Sequence, residues 1–173
     1  RSGSNIMYQY KDDSLMLHND LYQINMAESY WFDGIHERKA VFDLYFRNMP
    51  FGSGYAVFNG LRRVIEFIEN LHFSESDMAY LKSIGYQDDF LSYLKELKFT
   101  GNIRSMQEGE LCFSNEPLMR IEAPLIQAQL IETALLNIIN FQTLIASKAS
   151  LIKQVAVDDV LMEFGTRRAH EFD

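Results

Sequence analysis

The sequence predicts an α+β domain that runs, through one long helix, into the first strand of an α/β unit. Three features point there. Up to residue 123 the apolar side chains switch between the helical and the strand period; after Pro124 a helical period continues for roughly 30 residues; and Val160-Leu161-Met162 is a short apolar run of the kind found in a parallel strand covered on both faces. The segments expected are residues 7–123 for the α+β domain, 124–157 for the bridging helix and 158–173 for the strand and its loop. Residues 1–6, rich in Ser and Gly ahead of Met7, read as an expression remnant.

Leu21, Ile24, Ala27 and Trp31 recur at helical spacing from Asp20 to Phe32, with Asn19 or Asp20 available as N-cap. From Lys39 to Arg47, Ala40, Phe42, Leu44 and Phe46 fall on one face of a strand that Pro50, Gly52 and Gly54 then break. Leu61, Val64, Ile65, Ile68 and Leu71 make a helical stripe. Ser74 with Asp77 forms a capping-box start for a helix through Leu81 and Ile84 that Gly85 ends. Asp88 or Asp89 would cap another, with Leu91, Leu94 and Leu97 inward. Ile103 to Ile121 returns to short strands around turns at Glu108-Gly109 and Asn115-Glu116-Pro117. Pro124 suits a helix's first turn, and Leu130, Ala134, Ile138, Phe141, Ile145 and Ile152 predict the buried stripe of the long helix.

Composition narrows the function. The 173 residues are 47% hydrophobic, enough for a sizeable core. Acidic residues outnumber basic ones 24 to 16, for a net charge of -8, which argues against a nucleic-acid or anionic-membrane partner. No uninterrupted apolar run reaches the roughly 18 residues of a membrane span, and no signal peptide is recognisable, so a cytoplasmic location is expected. The single cysteine, Cys112, sits between Leu111 and Phe113 and reads as a buried small hydrophobe rather than a nucleophile.

The chemistry concentrates at the end of the chain. A strand that leaves through Gly165 into Thr166, Arg167 and Arg168 presents anion-binding groups at its carboxyl end, where α/β sheets and barrels keep their sites. From spacing alone, paired surface arginines in ordinary ion pairs fit as well. His18, His36, His72 and His170 share no metal-ligand spacing, so no metal site is expected. Gly52-Ser53-Gly54 could cradle a phosphate, but a structural turn after Pro50 is the simpler reading. Tyr22 reads either as a half-buried ring on the first helix or as a stacking platform.

Four ordered segments carry a resemblance. Glu163-Phe164-Gly165-Thr166-Arg167-Arg168-Ala169, Asn19-Asp20-Leu21-Tyr22-Gln23, the stretch from Phe46 to Tyr55 and the helix from Gln129 to Thr143 are similar to segments of nicotinate phosphoribosyltransferases. The resemblance implies a fold of the type II phosphoribosyltransferase kind, in which the final strand opens an α/β barrel, and it implies that this chain is an amino-terminal portion. It further implies transfer of a phosphoribosyl group from phosphoribosyl pyrophosphate to nicotinate, giving nicotinate mononucleotide for NAD synthesis, with ATP hydrolysis coupled and Mg2+ on the phosphates.

By the same resemblance Tyr22 would stack on the pyridine ring with Asp20 beside it, while Gly165, Thr166, Arg167 and Arg168 would face anionic substrates across a homodimer with shared sites. The family's phosphorylated histidine would lie beyond residue 173, so His170 does not take that role and the catalytic residues stay unassigned. Asn19 replaces the threonine usual in the motif, which affects mainly a local cap. Related nicotinamide or quinolinate transferases, or a non-catalytic interaction module, remain open as alternatives.

Overall fold

The structure, a computed structural model, describes residues 14–168. Five helices and five strands follow in the order α1 (Leu21–Phe32), β1 (Lys39–Leu44), β2 (Ala56–Val57), α2 (Leu61–Glu69), α3 (Glu75–Ser83), α4 (Asp88–Lys95), β3 (Asn102–Ser105), β4 (Leu111–Cys112), β5 (Met119–Pro124) and α5 (Leu125–Ala156). β5 lies between β1 and β3 in an antiparallel sheet, with Leu44 opposite Met119 and Ile103 opposite Ile121. β2 and β4 form a second, two-stranded sheet. Strand periodicity decides what each face does. Met119, Ile121 and Ala123 are buried, whereas Arg120 and Glu122 point outward and pair with Asp43 and Lys39 of β1. The bidentate Arg120 guanidinium holds the Asp43 carboxyl below its usual range.

α5 organises the rest, packing against α1, α2 and both sheets. Ile126 to Ile131 are buried without interruption, so the first turns are covered on every side, as in a core helix. The second half behaves differently from the expected apolar stripe: Ile145 and Ile152 are exposed. Its buried positions are Thr143 and Ser147, whose hydroxyls accept from the amides of Asn59 at 3.1 Å and Val57 at 2.9 Å. α5 uses these hydroxyls to satisfy backbone beside and within β2 that would otherwise be unpaired. By length and composition α5 could also cross a membrane, which counting uninterrupted apolar residues does not anticipate. Its buried polar residues Gln127, Gln129, Thr143 and Ser147 and its packing suit the centre of a folded domain.

Other elements follow the sequence with local differences. α1 buries Gln23, Ile24 and Ala27, while Leu21 turns outward; Asp20 takes the N-cap position without a side-chain cap bond. In α2 Phe67, not Ile65, joins Val64 in the core. Gly60 precedes α2 with φ of +107°, and a Cβ there would approach Ile139 Cδ1 to 3.1 Å, so both conformation and space favour glycine. α4 starts after Gln87, and Asp88 and Asp89 occupy its first turn, where the helix dipole favours carboxylates. Pro124 ends β5 and stands at the N-cap of α5, one position earlier than expected.

The capping box at α3 forms as expected. Ser74 Oγ accepts from the Asp77 amide at 3.1 Å and Asp77 Oδ2 accepts from the Ser74 amide at 2.9 Å. Ser14 Oγ also donates to the Asp77 carboxylate at 2.6 Å, which ties the segment ahead of α1 to α3. Ser74→Ala should therefore lower the unfolding free energy by about 1 kcal/mol. Denaturant melts of the two proteins measure it, and an unchanged midpoint would show the cap to be dispensable.

The expected strand at Val160-Leu161-Met162 does not form. After α5 the chain turns at Val157, φ +34°, and runs as irregular backbone to a short 3-10 turn at Thr166–Arg168. Val160 is 79% exposed, Met162 71% and Phe164 84%. A parallel strand needs neighbours to pair its backbone and cover both faces, and no strand stands beside this segment among the described residues. Residues 158–168 thus show no barrel strand, and residues 169–173 of the expected segment lie outside the described residues.

Candidate functional site

The residues expected to act together lie on separate segments, one packed on the first turns of α5 and the other following the end of that helix. The first segment is the start of α1. Asn19 Nδ2 donates to the Leu130 carbonyl at 2.8 Å, so the residue in place of threonine serves as a tie to α5 rather than as a cap. Gln23, 1% exposed, donates through Nε2 to Glu132 Oε2 at 3.1 Å and to the Tyr22 hydroxyl oxygen at 3.0 Å. Tyr22 itself is 55% exposed and Asp20 is exposed beside it. The open ring face is therefore available for stacking, while its oxygen is pinned from below.

Beyond α5, Arg167 and Arg168 are exposed on the 3-10 turn, whose Arg168 amide donates to the Gly165 carbonyl at 2.7 Å. The Gly165 amide donates to the Glu163 carboxylate. The side chains of both arginines enter no ion pair among the described residues, so the surface-pair reading has no partner there. Glu132 and Ala156 stand about 24 residues apart on α5, or roughly 36 Å of helix at 1.5 Å per residue. No hydrogen bond links residues 157–168 to α1.

Other sequence candidates resolve as structure. Gly52-Ser53-Gly54 is a turn: the Ser53 amide donates to the Pro50 carbonyl at 3.0 Å and Ser53 Oγ accepts from the Tyr55 amide at 3.3 Å. A hollow of about 450 Å³ between α2 and α5, lined by Arg62, Arg63, Glu66 and Glu108, contains none of the residues expected from the sequence to bind substrate. Glu108 already caps α2 there, accepting from the Gly60 and Arg62 amides. Among the described residues no three His, Cys, Asp or Glu side chains gather as a metal site; His170 lies outside them.

Cys112 is fully buried, its thiol directed at the Ala56 carbonyl at 3.6 Å, and burial pushes its pKa up. Burial, reinforced by the negative charge of Glu116 nearby, disfavours the thiolate. Cys112 should stay unmodified by a thiol reagent at neutral pH until the protein is denatured; rapid labelling of the native chain would contradict this.

The cluster that sequence reading passed over is Gln23 with Glu132. A glutamine inside an otherwise apolar helix face gives no periodic signal, and Glu132 reads as an ordinary solvated charge.

Residues 17–140 match the family model for the nicotinate phosphoribosyltransferase N-terminal domain. The nicotinate phosphoribosyltransferase of Bacillus subtilis is 65% identical over 167 residues, covering 96% of this chain and 34% of that protein. The crystal structure of human nicotinic acid phosphoribosyltransferase superposes with a TM-score of 0.81 at 34% identity, covering 90% of this chain and 32% of the human one. A nicotinate-nucleotide pyrophosphorylase from Pyrococcus furiosus shares the fold, with a TM-score of 0.69 at 20% identity. The chain thus spans about a third of the length of the relatives it matches.

Proposed function

This chain belongs to the nicotinate phosphoribosyltransferase family, and from that premise we propose that it provides part of the active site of an enzyme joining nicotinate to phosphoribosyl pyrophosphate. The products are nicotinate mononucleotide and pyrophosphate, a step of NAD biosynthesis in the cytoplasm. Identity of 65% across nearly the whole segment is the observation that supports this most strongly.

The reaction passes through an oxocarbenium-like centre as pyrophosphate departs, so it depends on positioning and charge stabilisation more than on a side-chain nucleophile. Tyr22 supplies an exposed ring for the pyridine, with Asp20 next to it. Arg167 and Arg168 supply guanidinium forks suited to carboxylate and phosphate, on a turn that Gly165 and Thr166 begin. Coupled ATP hydrolysis would proceed on a histidine outside this segment. Mg2+ enters this reading as the counter-ion of the substrate phosphates.

The two clusters sit on separate segments with no hydrogen bond between them, a division that suits a shared site in a homodimer, where Tyr22 of one protomer meets the arginines of its partner. Exposed Leu21, Met26 and Phe32 beside Tyr22 offer the apolar surface such a contact buries.

Product formation tests the activity. A full-length enzyme carrying this segment should form nicotinate mononucleotide from nicotinate, phosphoribosyl pyrophosphate, Mg2+ and ATP, whereas residues 1–173 alone should form none. Turnover by the isolated segment well above background would show the catalytic residues to be misplaced; a full-length enzyme that prefers nicotinamide or quinolinate would favour a related transferase.

A further inference from the structure

We propose that Gln23 is a positioning residue for the nicotinate site, acting through the hydroxyl of Tyr22; the inference rests on the function proposed for Tyr22. Neighbouring residues on a helix point about 100° apart and do not normally meet. Here the Tyr22 side chain is laid back so that its oxygen accepts from Gln23 Nε2 at 3.0 Å. The same nitrogen donates to Glu132 Oε2 at 3.1 Å, and an ionised carboxylate accepts only, which fixes the carboxamide orientation. Gln23 is 1% exposed and its Oε1 is buried without a hydrogen-bond partner. Leaving a buried acceptor unpaired is costly, so the arrangement sacrifices one bond to direct both amide hydrogens at Tyr22 and Glu132.

That geometry has a chemical consequence. With a donor already on the phenol oxygen, the Tyr22 hydroxyl proton is turned away from Gln23, toward the exposed side of the ring. A tyrosine held this way offers a stacking face and an outward donor together, which fits an aromatic anion better than an aromatic amide does. Glu132 sets the carboxamide, the carboxamide sets the phenol, and the phenol meets the substrate.

Kinetics of the full-length enzyme test the chain of contacts. Gln23→Met keeps the volume of the buried side chain and removes both donors. It should raise the nicotinate KM roughly threefold, the equivalent of one ordinary hydrogen bond, with kcat and the phosphoribosyl pyrophosphate KM within twofold. In a Tyr22→Phe background Gln23→Met should add no further change, because the hydroxyl it positions is gone. An unchanged nicotinate KM, or the same rise in the Tyr22→Phe background, overturns the inference. If Gln23→Met does not fold, Glu132 decides: Glu132→Ala, which removes the acceptor that orients the carboxamide, should raise the nicotinate KM with kcat within twofold and should add no further change in a Tyr22→Phe background; an unchanged KM, or the same rise in that background, overturns it. Failure of the underlying reading looks different, since Tyr22→Ala would then leave nicotinate KM unchanged in an active enzyme.

Discussion

Arg167→Ala or Arg168→Ala in the full-length enzyme is expected to weaken at least one anionic substrate by about 1.5 to 3 kcal/mol, the range for hydrogen bonds to charged groups. The expectation comes from position. Both guanidiniums are exposed on a turn that contributes nothing to the core, and neither has a carboxylate partner among the described residues. Their removal should leave the thermal midpoint of the protein in place while raising KM or lowering kcat/KM. Lys at either position keeps the charge but loses the planar fork, so it should recover only part of the binding. Near-normal binding and turnover in both alanine variants would return the pair to ordinary surface charge.

Tyr22→Ala should cost nicotinate affinity at least tenfold, because it removes the whole ring, and aromatic contacts contribute about 0.5–1.5 kcal/mol beyond the area they bury. Tyr22→Phe keeps the ring and loses one hydroxyl, so it should keep most of that affinity, with a change of roughly threefold. Phosphoribosyl pyrophosphate should be much less affected in both variants. The ring is 55% exposed and contributes little to the core, so neither change should unfold the domain. Equal losses for both substrates would indicate a general disturbance of α1 instead.

How much of this was legible in the sequence depends on what each residue was asked to do alone. The capping box of Ser74 and Asp77, the alternation of β1 and the length of α5 all reflect local physics, and each appears where the residues place it. The faces of the helices were less legible. Ile145 and Ile152 match the helical period but find no neighbour, while Thr143 and Ser147 are buried because β2 and the residue after it need hydrogen-bond partners, a demand that arises only in the assembled fold. The strand at 160–162 failed for a related reason: its apolar run describes an environment that other strands would have to supply.

The candidate site divides in the same way. The motif residues Asp20, Tyr22, Arg167 and Arg168 could be picked out in order, but nothing in their spacing reveals how the segments that carry them are arranged around α5. Nor could Gln23 be singled out, since its importance comes from Glu132, which lies more than a hundred positions later and reaches it across the packing of α1 on α5.

Subunit mixing tests the shared site most directly. Full-length Tyr22→Ala and Arg167→Ala enzymes, each impaired alone at substrate concentrations near the KM values of the unmutated enzyme, are exchanged and the mixed dimers confirmed by mass. If Tyr22 reaches across to the partner's arginines, one of the two pockets in every mixed dimer receives both intact side chains, and activity should recover to as much as roughly a quarter of the unmutated enzyme after random exchange. Confirmed mixed dimers with no recovered activity would contradict the shared site and leave Tyr22 serving its own protomer or none.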